Sequence, residues 1–123
     1  MSDIKCTRKF VEPAKIQALQ DLVRSGADSI ETLSDVIQAA GNESRLKILW
    51  LLTIENELCP CDLSDVLGVS VPAISQQLQK LRVQGLVSRR RDGVTIYYSL
   101  ADTPFTMMLR SLFETAIPET VAS

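Results

Sequence analysis

The chain has 123 residues, 46% of them hydrophobic, and a formal net charge of −2, which predicts one domain (residues 1–123) with its own core. The polar start excludes a signal peptide, and no apolar run is long enough for a membrane span. We therefore expect a soluble, cytoplasmic protein without a membrane partner. In that compartment, three cysteines are more often free, metal-binding or redox-active than paired in disulfides.

Helical periodicity dominates the first half of the chain. Residues 1–10 are expected to form a flexible polar arm, and a first helix is predicted from Glu12 because its apolar residues fall on one face. A second helix is predicted from about Ser29 to Gly41, where glycine ends it. A third helix follows from about Asn42 and is apolar on nearly every side, so we expect it to be the central buried helix.

The second half of the chain predicts two short helices followed by a hairpin. Residues 62–84 have the pattern of a helix-turn-helix, and residues 86–100 that of a two-stranded wing around Asp92-Gly93, a common hairpin turn. Residues 103–117 predict a last amphipathic helix. This order predicts a mainly α fold with a β-hairpin wing, the winged helix-turn-helix class.

Positive charge is concentrated in this winged module. Residues 70–91 carry five basic residues and no acidic residue, whereas the rest of the chain carries eight basic and fifteen acidic residues. Such a module can bind double-stranded DNA, because Gln and Ser bond base edges and Arg bonds phosphates. The alternative is an ordinary solvated surface. The DNA-binding residues that we predict are Ser70, Ser75, Gln76, Gln77, Gln79, Lys80, Arg89, Arg90 and Arg91.

Apolar stripes on the first and last helices predict a homodimer. The helices lie within residues 11–40 and 103–117, and a domain this small cannot bury both stripes against its central helix. Two winged modules would then face a two-fold symmetric operator. The alternative is that the stripes complete the core of a monomer. The interface residues that we predict are Leu19, Leu22, Met108, Leu112 and Phe113.

A family resemblance is carried by the stretch ELCPCDLSDVLGVSVPAISQQLQKLRVQGLVSRRRDGVTIYYSL. Over residues 40–102 the chain resembles the ArsR/SmtB family of metal-responsive bacterial repressors, with an ELC-x-CDL segment, a recognition helix and a wing. The resemblance implies a homodimer that represses an efflux or detoxification operon and leaves DNA when metal binds. Without histidine, a glycine-rich phosphate loop or a convincing carboxylate pair, we do not expect an enzyme.

The cysteines depart from the patterns of the family. Cys6 ahead of a helix resembles the cadmium/lead sensors, but Phe10 stands where those sensors have a second N-terminal cysteine. Ser64 stands where arsenic sensors have the third thiol of their box. Asp102 matches a ligand of the zinc sensors, but Pro104 replaces a histidine, so we expect no zinc site on the last helix.

Three thiols remain as predicted metal ligands: Cys6, Cys59 and Cys61. The positive end of a helix dipole favours thiolates, and soft thiolates select thiophilic ions. The expected effector is As(III), Sb(III), Hg(II), Pb(II) or Cd(II), without an organic cofactor. Two alternatives stay open, a thiol–disulfide redox sensor that uses the same cysteines and a metal-independent regulator in which Cys59 and Cys61 are structural.

Overall fold

The architecture is winged helix-turn-helix, as predicted. The computed structural model describes residues 12–118. Two compact units meet between Leu33 and Ser34, inside the second helix. The elements are α1 (Pro13–Ser25), α2 (Ala27–Ala40), α3 (Glu43–Ile54), α4 (Pro60–Leu67), α5 (Val71–Val83), β1 (Val87–Asp92), β2 (Thr95–Leu100) and α6 (Pro104–Ala116).

The core of the second unit is built around α3, as its apolar sequence predicts. Ile48, Leu49 and Leu52 of α3 are buried, and the helix packs against α5, β2 and α6. Asn42 caps the helix, because its side chain accepts a hydrogen bond from the backbone N–H of Arg45. Helices α4 and α5 pack against each other, so the helix-turn-helix rests on this core.

The wing is an antiparallel hairpin attached to the segment before α4. Its register runs from Val87 opposite Leu100 to Asp92 opposite Thr95, so the turn lies one residue later than predicted. Leu58 extends the hairpin at one position: its N–H donates to the Tyr98 carbonyl (3.0 Å), and the Tyr98 N–H donates back (2.9 Å). The segment that enters α4 is therefore hydrogen-bonded to the second strand of the wing.

The first unit has few contacts of its own. No residue of α1 is buried, and Leu19, Leu22 and Val23 have exposures of 49%, 65% and 73%. The helix break before α2 is shorter than predicted, because α2 begins at Ala27 directly after Gly26. The apolar side chains of α1 are thus available to another surface.

Helix α6 is divided between the core and solvent. Thr103 caps it by accepting the Thr106 N–H, and Leu109 and Phe113 are buried in the core. The prediction of an interface role for Phe113 is therefore corrected: with only 8% of its surface exposed, it completes the core of its own chain. Met108 and Leu112 remain largely exposed on this helix.

Candidate DNA-binding and thiol site

Helix α5 presents a polar face because its apolar stripe is completely used by the core. Ile74, Leu78 and Leu81 are 2% exposed or less. Ser70 fixes the start of the helix, since its Oγ accepts the backbone N–H of Ala73 at 3.3 Å. The predicted DNA-binding residues that lie exposed along this helix are Ser70, Ser75, Gln76, Gln79 and Lys80.

The turn between α4 and α5 is determined by Gly68. Its φ of +69° is left-handed, a conformation that glycine adopts without steric cost, and its N–H donates to the Ser64 carbonyl. The Ser64 hydroxyl also donates to the carbonyl of Val69. These bonds define where α5 begins relative to α4, and hence how its polar face is presented.

Gln77 is held by the protein itself. Arg45 donates from Nη1 to Gln77 Oε1 (2.9 Å) and from Nε to the Ala39 carbonyl (2.7 Å), so it joins α5 to the end of α2 through α3. The amide oxygen of this half-buried side chain is therefore occupied, and Gln77 lies apart from the exposed set. Sequence reasoning missed Arg45, since nothing local distinguishes it from a surface arginine.

The three wing arginines do not share one environment. All are exposed, but side chains alternate along a strand, so Arg90 lies on the opposite face from Arg89 and Arg91. Arg90 donates from Nε to Glu57 Oε2 (2.6 Å) and from Nη2 to Glu57 Oε1 (2.8 Å). Its guanidinium also lies 4.8 Å from the centre of the Tyr97 ring. Arg90 is thus bound within the protein.

The Glu57–Arg90 pair is also expressed in the ionisation of both groups. The hydrogen bonds from Arg90 lower the pKa of Glu57, and those to Glu57 raise the pKa of Arg90. Sequence reasoning missed Glu57, although it is the first letter of the ELC-x-CDL segment. Its partner is 33 residues away, so only the wing's place in the fold reveals the contact.

The two thiols of the described chain begin α4 in different roles. Cys59 is the N-cap: its Sγ accepts the Asp62 N–H at 3.4 Å, and its own N–H donates to Asp62 Oδ2 at 3.2 Å. The helix starts at Pro60, earlier than predicted, which places Cys61 in the first turn with its side chain exposed. Both thiols are free.

The acidity expected for Cys59 is wrong in direction. Burial raises the pKa of the Cys59 thiol, and the nearby Asp62 carboxylate raises it further, while the Asp62 N–H bond lowers it. The donated N–H is the contribution that the helix start predicts, but it is outweighed. Cys59 is consequently a thiol, not a thiolate, at neutral pH.

The donor set for a metal is incomplete within residues 12–118. In that range no group of three or more His, Cys, Asp or Glu side chains is arranged to hold a metal ion. The two sulfurs suit two positions of a thiolate site, and predicted ligand Cys6 lies outside the described residues. Among the described helices, none has both the length and the apolar composition of a membrane span.

Comparisons with known proteins agree on one family. Residues 42–89 match the family described as bacterial regulatory protein, arsR family. A transcriptional repressor SmtB homolog of Synechocystis sp. is 36% identical over 107 residues, which cover 87% of this chain and 80% of that protein. A cadmium resistance transcriptional regulatory protein CadC homolog of Staphylococcus aureus is 27% identical over 114 residues, 92% of each chain.

A solved structure extends this agreement to the fold. The homodimeric winged helix-turn-helix DNA-binding domain of a possible ArsR-family transcriptional regulator from Mycobacterium bovis has a TM-score of 0.64 and 26% sequence identity. The match covers 76% of this chain and 89% of that domain. The shared architecture includes the helix-turn-helix and the wing described above.

Proposed function

Since the chain belongs to the ArsR/SmtB family of metal-responsive transcriptional regulators, we propose that it is a cytoplasmic, homodimeric repressor. It binds double-stranded operator DNA and releases it when a thiophilic metal or metalloid ion binds its cysteines, which derepresses a resistance or efflux operon. One observation carries the DNA-binding part: α5 exposes a polar face free of acidic side chains, beside a wing with unpaired cationic groups at Arg89 and Arg91.

Base contacts are assigned to the exposed polar face of α5. Gln76 and Gln79 can make bidentate bonds to adenine, and Ser75 can bond a base or a phosphate. Lys80 contacts phosphates from the same helix, and Arg89 and Arg91 do so from the wing. Gln77 and Arg90 are left out of the contact set, because Arg45 and Glu57 already bind them.

The effector site is assigned to Cys59, Cys61 and Cys6. Two free thiols one residue apart at a helix start supply soft donors, which favour As(III), Sb(III), Hg(II), Pb(II) or Cd(II) over hard cations. The cadmium resistance regulator from Staphylococcus aureus supports a metal effector in general. Because the pKa of Cys59 is raised, ion uptake must release its proton, and affinity should increase with pH.

The dimer is supported by the apolar side chains left uncovered on two helices. Leu19 and Leu22 of α1 and Met108 and Leu112 of α6 are between 49% and 65% exposed. Burial of such side chains is the main driving force of association. The structural relative from Mycobacterium bovis is itself homodimeric.

The decisive experiment is a DNA-binding titration on the DNA upstream of the protein's own gene. As(III), Sb(III), Hg(II), Pb(II), Cd(II), Zn(II) and peroxide are compared by fluorescence anisotropy at one salt concentration. We expect at least one thiophilic ion to weaken binding about 100-fold, a coupling free energy of about 2.7 kcal/mol. Release by peroxide alone would support the redox-sensor alternative, and the proposal fails if no addition weakens binding.

Replacement of Cys61 by serine should separate sensing from DNA binding. Cys61→Ser is expected to abolish ion-induced release and to leave operator affinity within about twofold, since the side chain is exposed and caps nothing. Ser64→Ala is the matched control, a similarly small change on the same helix. A Cys61→Ser protein that still releases DNA with the parent's ion dependence would remove this residue from the site, and Cys6→Ser tests the arm in the same way.

A further inference from the structure

The segment of residues 57–59 contacts the wing and the thiol-bearing helix start at once. Glu57 holds Arg90 of β1 through two hydrogen bonds of 2.6 and 2.8 Å. Leu58 exchanges two backbone hydrogen bonds with Tyr98 of β2. Cys59, the next residue, caps α4 through its sulfur. Three consecutive residues therefore fix both strands of the wing and the start of α4.

The geometry leaves this segment little freedom to move alone. The Leu58 bonds fix its backbone against β2, and the bidentate Glu57–Arg90 pair fixes its side chain against β1. Tyr97 lies beneath the Arg90 guanidinium and limits where Arg90 can go. A displacement at the α4 start is therefore transmitted to the wing through residues that are one and two positions away.

The cap at Cys59 is the point where such a displacement originates. The sulfur that accepts the Asp62 N–H is the same atom that would bind an ion, so a change at this sulfur alters the cap bond. The reciprocal bond from the Cys59 N–H to Asp62 belongs to the same capping box. Rearrangement of this box displaces the backbone of residues 58 and 59.

We propose that Glu57 is a positioning residue that couples the state of the Cys59 sulfur to the wing, through its ion pair with Arg90. This inference rests on the proposed function and names how the thiol site acts on DNA. The wing, with Arg89 and Arg91 on the face opposite Arg90, is the element whose position changes. Loss of the Glu57 carboxylate uncouples the two sites without removing a thiol or a DNA contact.

Glu57→Gln tests the coupling, with Cd(II) as the probe and three readouts on the full chain. Ultraviolet sulfur-to-cadmium absorption measures uptake, anisotropy measures operator affinity with and without Cd(II), and hydrogen–deuterium exchange reports on residues 87–100. We expect normal uptake, but release reduced from about 100-fold to within about threefold. The Cd(II)-dependent change in wing exchange should shrink in parallel, although the metal-free protein still binds DNA.

Two further variants make the result specific. Glu57→Asp keeps the carboxylate and should restore part of the release, whereas Glu55→Gln removes the same charge from an exposed position two residues earlier and should behave as the parent. If Glu57→Gln releases DNA as the parent does, the coupling through Glu57 is refuted while the proposed function stands. If the parent shows no ion-dependent release under any ion tested, both are refuted.

Discussion

Cys59 combines a structural role with a proposed chemical one. Its sulfur caps α4, and the Asp62 carboxylate that completes the capping box also raises the pKa of the thiol. A cysteine held in this way stays protonated and is protected from oxidation, because the thiolate is the reactive form. Raised acidity is thus not what prepares this residue for an ion; its position beside the exposed Cys61 is.

Removal of the Asp62 charge should increase the reactivity of Cys59. The carboxylate raises the thiol pKa, so Asp62→Asn should lower it and increase the fraction of thiolate at pH 7. We expect alkylation of Cys59 by iodoacetamide, followed by peptide mass spectrometry, to be several times faster than in the parent. Asp65→Asn, an exposed change on the same helix, is the control. Equal Cys59 rates in all three proteins would contradict this account.

Neighbouring wing arginines should differ in what they contribute to DNA binding. Arg89→Ala should lower operator affinity and reduce the slope of log affinity against log salt by about 0.9, the value of one phosphate contact. Arg90→Ala should leave that slope nearly unchanged, because Arg90 is paired with Glu57. A slope that falls equally in both variants would place Arg90 on the phosphates and would disprove the assignment made here.

At the scale of elements, the helix-turn-helix depends on one left-handed residue. Gly68 ends α4 at a φ of +69°, and Ser70 caps α5 two residues later. A side chain at Gly68 would meet no neighbouring atom, so the cost of a substitution lies in the backbone conformation and not in a clash.

Gly68→Ala should therefore destabilise the protein by about 1–2 kcal/mol, the cost of an alanine in the left-handed region. Gly68→Asn should lose less, because asparagine tolerates this region better. Urea unfolding followed by circular dichroism measures both free energies. Parent-like stability of Gly68→Ala would show that the turn relaxes to another conformation.

The elements were largely predictable, whereas the site was predictable only in part. Apolar periodicity and the glycine and serine signals located α3, α5 and the wing, because these patterns act over a few residues. The pairing of Arg90 with Glu57 and of Gln77 with Arg45 could not be predicted, since each joins residues 32 or 33 positions apart. The burial of Phe113 and the protonation of Cys59 likewise depend on tertiary surroundings.

At the scale of the whole molecule, charge and apolar surface are separated along the chain. Residues 70–91 carry only basic charge, and the remaining residues are acidic overall. The large exposed apolar side chains include those of α1, in residues 12–33, and of α6. This separation lets one surface bind a polyanion while another associates with a second copy of the chain.

Disruption of the apolar surface should produce a monomer that binds operator weakly. Leu22→Glu and Leu112→Glu each place a charge among exposed apolar side chains, so sedimentation equilibrium should show the monomer mass. Val66→Glu is the matched control, because Val66 and Leu112 are both 62% exposed but lie on different helices. Operator affinity should fall about 100-fold or more once the two modules are no longer linked.

The Leu22→Glu protein should also lose helix. A 13-residue helix without a buried residue is marginal in water, so α1 depends on the partner that covers it. Far-ultraviolet circular dichroism should therefore show less helix in Leu22→Glu than in Val66→Glu at equal concentration. A dimeric Leu22→Glu protein with unchanged helix content would show that α1 is stabilised in some other way and would move the interface to α6 alone.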